Sequence, residues 1–120
     1  MDLKTIASKA VGGSPIINGK QKITTDTLIE KYHFVTVTAF DLIPNGDGTL
    51  YGVFNFAEDP DGYFNGGALA TKVALAWADQ FEGQIDEANK ALADEGGVQF
   101  RISQRRTKAG KTITTFDPVD

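Results

Sequence analysis

The chain contains no cysteine, which removes disulfide staples, thiolate nucleophiles and thiolate metal sites together. Its single histidine, His33, leaves no Ser-His-Asp or Cys-His arrangement and no histidine-based zinc set. That imidazole sits beside aromatics at a strand edge, where it reads as a packed or rim side chain rather than a general base. No apolar run approaches the roughly 20 residues that cross a bilayer, and the opening Met-Asp-Leu-Lys-Thr-Ile lacks the apolar centre of a signal peptide. The expectation is a cytoplasmic protein with no membrane contact. Gly62, Gly66 and Gly67 have neither the spacing nor the lysine of a phosphate-binding loop. The acidic group Glu58, Asp59 and Asp61 falls short of a calcium loop, because no third ligand precedes Gly62 and no glutamate follows at the required distance. Acid–base work by the same carboxylates lacks an opposing group. The chain is therefore expected to be non-enzymatic, with no cofactor and no metal.

What the chain has is apolar mass. It is 120 residues long and 41% hydrophobic, with eight phenylalanines, three tyrosines and one tryptophan. That length is one domain, 1–120, able to bury a core unaided. The net charge of −4 is unevenly spread. Residues 1–33 carry five basic and three acidic side chains, 34–96 two and eleven, and 97–120 five and two. A local cationic surface steers a partner more than the total does.

The strongest helical signal runs over 66–81, where Leu69, Val73, Trp77 and Phe81 recur every four residues among alanines. This stripe is the expected buried face, with Trp77 plugging one end of the core. A second helix is expected over 84–95, with Ile85, Ala88 and Leu92 inward and Gly96-Gly97 as its C-cap. Strands are expected over 34–40 and 50–56, with turn chemistry between them, and a short third one over 63–65 after an acidic turn at 58–62. The two faces of 50–56 are both partly apolar, so that strand needs cover on both sides or uses one side for binding. Val98, Phe100 and Ile102 alternate with polar residues, and 112–116 returns as a hairpin. Earlier, Thr25-Asp26 is expected to cap a short turn of helix through Leu28, Ile29 and Tyr32. Residues 2–11 place Leu3, Ile6, Ala7 and Ala10 at helical spacing before Gly12-Gly13. The segment 1–15 reads as a frayed arm, or as an arm that docks on a second subunit and makes a homo-oligomer. The element order predicts a mainly β protein with a helical insertion: a five-stranded OB-like Greek-key barrel, its helix between strands 3 and 4. An α+β sandwich is the rival.

The one cationic concentration is Arg101, Arg105, Arg106, Lys108 and Lys111, on the last hairpin. In an OB barrel the turn between strands four and five walls the nucleic-acid groove. Guanidinium and ammonium groups there can follow a phosphate backbone while Tyr51 stacks on bases. A solvated hairpin whose charges discourage edge pairing is the plain alternative.

The sequence also resembles a group of small proteins from phages and conjugative elements of Gram-positive bacteria. The resemblance is carried by Gly19-Lys20-Gln21-Lys22-Ile23-Thr24-Thr25, by Glu58-Asp59-Pro60 with Tyr63-Phe64-Asn65-Gly66-Gly67, by Trp77, and by Arg106-Thr107-Lys108-Ala109-Gly110-Lys111. It covers most of the chain from Gly19. The group is similar to OB-fold single-stranded DNA-binding proteins of mobile elements, which implies a role in replication or transfer and supplies no catalytic residues. The chain lacks the long acidic tail of ordinary single-strand binders, so recruitment of replication proteins through such a tail is not implied. The expected function is single-stranded nucleic-acid binding, with DNA as the partner, through the last hairpin and the strand carrying Tyr51. The alternative is an acidic protein-interaction module with no nucleic-acid binding, resting on the excess of nine acidic side chains over 34–96, the acidic surface of 79–95 and the N-terminal amphipathic arm.

Overall fold

The computed structural model describes residues 16–44 and 46–119; the expected N-terminal arm, 1–15, lies outside them. Element order is β1 (Gln21–Ile23), α1 (Thr25–Lys31), β2 (Phe34–Pro44), β3 (Leu50–Phe56), β4 (Asp59–Asn65), α2 (Ala68–Gln80), α3 (Ile85–Asp94), β5 (Val98–Arg106) and β6 (Thr112–Pro118). The architecture is mixed β and α. One six-stranded sheet runs in the order β1-β4-β3-β2-β5-β6, with β1 parallel to β4 and every other pair antiparallel. Among the described residues no helix is long and apolar enough to cross a membrane.

Local chemistry explains most of these elements. Thr24, one residue before the expected cap, caps α1 by accepting from the Thr27 amide at 3.2 Å. β2 outruns its expected end: beyond a bulge between Val37 and Ala39 it stays paired to β3 as far as Pro44. The acidic segment 58–62 is not a loop. The turn is confined to Ala57 and Glu58, and Asp59 already belongs to β4. Glu58 accepts from the Thr36 amide at 2.7 Å and from its hydroxyl at 2.8 Å, so its carboxylate secures β2 where β3 runs out. Strands number six among the described residues because Gln21–Ile23 adds a parallel strand outside β4. No pairing joins β1 to β6 among them, so the sheet is a curled half-barrel rather than a closed barrel.

Val35, Val37, Phe40, Phe54, Phe56, Phe64, Phe100 and Phe116 fill the concave side, closed by Leu28 of α1, Ala88 and Leu92 of α3, and one face of α2. That face is not the expected one. Ala70, Ala74 and Ala78 are its buried residues, while Val73, Trp77 and Phe81 are only partly buried beside them. The reason lies in the strand below. Gly52 of β3 approaches so closely that a Cβ there would come within 3.0 Å of the Ala74 Cβ, and its amide donates to the Thr71 hydroxyl at 3.0 Å. Backbone-level docking of this kind admits only small side chains at the contact. Trp77 instead wedges edge-on against Phe40 and Phe100, at centroid distances of 5.3 and 5.8 Å.

α3 adds a second polar clasp. The Asn89 carboxamide accepts from the Phe40 amide at 2.9 Å and donates to the Phe40 carbonyl at 3.0 Å. β5 pairs with β2 only up to Val37, so Asn89 supplies the partner that a neighbouring strand would have supplied.

Candidate nucleic-acid interface

Phe34 of β2 stands opposite Arg101 of β5, and Arg101 stands opposite Asp117 of β6. That row marks where β2 begins. Beyond it, from Ile102 to Arg106, β5 pairs with β6 alone. The last hairpin therefore continues past the start of β2 for five residue pairs, about 16 Å at roughly 3.3 Å per residue. The first pair, Ile102 with Phe116, is still packed in the core, and the four beyond it form a two-stranded arm. Arg105 faces Ile113 and Arg106 faces Thr112 along it. Its turn is held by the Thr107 amide donating to the Lys111 carbonyl at 2.8 Å, by the Lys111 amide donating to the Thr107 hydroxyl at 3.2 Å, and by Gly110 at φ 81°. The Ser103 and Thr115 hydroxyls meet at 2.6 Å across the ladder.

Arg101, Arg105, Arg106, Lys108 and Lys111 are all exposed on this arm and its root. Alternation sends Phe100 and Ile102 into the core and turns Arg101, Ser103 and Arg105 outward. Apart from Asp117, exposed opposite Arg101 at the root of the hairpin, most acidic side chains gather elsewhere. Asp79, Glu82, Asp86, Glu87, Asp94 and Glu95 are exposed along α2, α3 and the turns that end them. The molecule thus presents a cationic hairpin and a separate anionic helical layer.

Tyr51 does not join the arm. It pairs with Ile43, nine residues along β2 from Phe34, about 30 Å away at roughly 3.3 Å per residue. It is half-buried there, at the far end of the same sheet face.

The aromatic ring beside the cations is Phe34, 36% exposed. The Arg101 guanidinium carbon lies 5.3 Å from its ring centroid, a cation–π contact. Next to this pair a cavity of about 340 Å³ opens between α1 and β5, lined by Ile29, His33, Phe34, Arg101, Ile102 and Ser103. By composition Phe34 is one more apolar residue of a strand. The signal that separates it is in the alternation, since burying Val35 and Val37 sends Phe34 and Thr36 to the opposite face. His33 and Ile29 join it through the fold of α1 onto the sheet, which no local pattern announces. No family model, curated protein or solved structure matches the chain.

Proposed function

We propose that the protein binds single-stranded nucleic acid without catalysing a reaction, and that its ligand is DNA in the replication or transfer of a phage or mobile element, in the cytoplasm. The observation that carries the reading is the β5–β6 arm, where five cations project from one hairpin with an exposed ring at its root. Such a ribbon can lie along a phosphate backbone, and neutralising phosphates releases counterions. The anionic helices favour an approach in which the arm leads. Connectivity supports an OB-like relationship as well. β2, β3 and β4 follow one another, and β5 returns through two helices to lie beside β2. That spatial order is what a Greek key requires. Fluorescence anisotropy with a labelled single-stranded oligonucleotide tests the proposal: affinity at low salt, falling steeply as salt rises, is expected. No binding at low salt, or binding indifferent to salt, sinks it.

A second reading has its own observation. A cavity of about 190 Å³ between α2 and α3, whose lining includes Trp77, Phe81, Leu92 and Glu95, sits within the anionic layer. It suits a basic protein segment with an apolar anchor. Retention of a partner after nuclease treatment favours this alternative.

A further inference from the structure

We propose that the cavity at the root of the arm receives one nucleobase flipped out of the strand. This inference rests on the nucleic-acid reading above and adds what the arm alone lacks, a means of preferring unpaired strands. Cations on a hairpin attract any polyphosphate, duplex or single. The cavity adds chemistry suited to a base. Its volume, about 340 Å³, lies at the lower end of the roughly 300–1,000 Å³ that small-ligand pockets occupy. Ile29, Phe34 and Ile102 give it apolar lining, and His33, Arg101 and Ser103 line it with polar groups.

Phe34 is an exposed ring with a guanidinium over it. An aromatic face and an arginine plane are the two surfaces on which unpaired bases stack, because every base carries a π-face. The position of the pocket matters too. It lies where β2 begins and the two-stranded arm sets out, so a strand whose phosphates follow Arg105, Arg106, Lys108 and Lys111 reaches the cavity at the arm's root. A base still paired in a duplex has no free face to offer it.

The experiment compares three labelled ligands of equal length at one salt concentration: a single strand, an abasic strand with the same phosphates, and a duplex. The wild-type protein is expected to bind the single strand about 5- to 150-fold more tightly than the abasic strand, the range that one stacked base contributes. Phe34→Ala should abolish that ratio and leave the salt dependence intact, and Phe34→Trp should preserve it. Phe34 lies outside the core cluster, so both variants should retain the wild-type circular dichroism and melt within about 5 °C of the wild type. The inference is overturned if Phe34→Ala keeps the ratio, or if the wild type does not distinguish the abasic strand. Failure of all three ligands to bind at low salt overturns the nucleic-acid reading itself, a result separable from either of those.

Discussion

Phe64 and Phe116 stack with ring centroids 6.4 Å apart and planes inclined by 16°, although their strands hold the second and sixth places in the sheet. In a flat sheet four strand spacings of roughly 4.8 Å would part them by about 19 Å. The contact closes across the concave interior, where Phe116 also meets Phe54 at 5.3 Å and Phe100 at 4.2 Å. Curling is thus maintained by phenylalanines drawn from four strands.

Phe116→Ala removes the ring common to these contacts. It should cost about 3–5 kcal/mol of stability, the usual range for a buried phenylalanine, measured by urea unfolding. Phe34→Ala, at an exposed position, should cost less than about 1 kcal/mol in the same assay. Equal losses would contradict the placement of the core.

Asn89→Ala strips the Phe40 amide and carbonyl of their α3 partner. A loss of about 1–3 kcal/mol per deserted group is expected where water cannot replace it. The Phe40 amide should exchange its hydrogen markedly faster than in the wild type. Unchanged exchange would show that Asn89 is dispensable to the strand.

Gly97→Ala and Gly96→Ala separate two kinds of cost. Both residues have positive φ, 77° for Gly96 and 89° for Gly97, so both variants suffer backbone strain of about 1–3 kcal/mol. Only at Gly97 would the new Cβ also meet Thr36 Cγ2 at 2.7 Å and the Val37 carbonyl oxygen at 2.9 Å. The Gly97 variant should therefore melt at the lower temperature.

Replacing Arg105, Arg106 and Lys108 together by alanine should weaken oligonucleotide binding and flatten its salt dependence. For each phosphate left without its cation, the slope of log affinity against log salt should fall by about 0.7 on a single strand. The melting temperature should stay near the wild-type value, because all three side chains are exposed. A variant with wild-type affinity would move the site off the arm.

Asp47 accepts from the Thr49 hydroxyl at 2.6 Å and from the Thr49 amide at 3.0 Å, and the hydroxyl, then the amide, hold its carboxyl below the ordinary carboxylate range. A carboxyl depressed on folding adds stability above its unfolded pKa, and that contribution fades as pH falls through the folded value. In a carboxyl titration followed by NMR, Thr49→Val should move Asp47 upward toward the ordinary range. An unmoved midpoint would mean that the hydroxyl contributes nothing.

Much of the fold was legible because period and turn chemistry are local. Strand 50–56, the alternation from Val98 to Ser103 that opens β5, the two helices and the last hairpin follow from alternation, alanine content and glycine punctuation. The departures share one cause, which is contact between residues distant in sequence. Gln21–Ile23 is too short to announce itself and becomes a strand only beside β4. The buried face of α2 is set by Gly52, some twenty residues earlier, and a helical wheel weighted by side-chain size selects Trp77 over Ala74. Of the candidate site, the cationic hairpin could be read from composition alone. Its distance from Tyr51, and its nearness to Phe34, depend on β2 pairing with β3 at one end and with β5 at the other.

The clasp between Asn89 and Phe40 bears on solubility as well as on stability. A strand edge with free amides and carbonyls is a template for a passing chain, and β2 past Val37 would be such an edge. One carboxamide occupies both hydrogen-bonding groups of Phe40 and leaves an incoming strand nothing to pair with at that residue. Loss of this side chain should therefore be felt first at high protein concentration, as self-association of molecules that are otherwise folded.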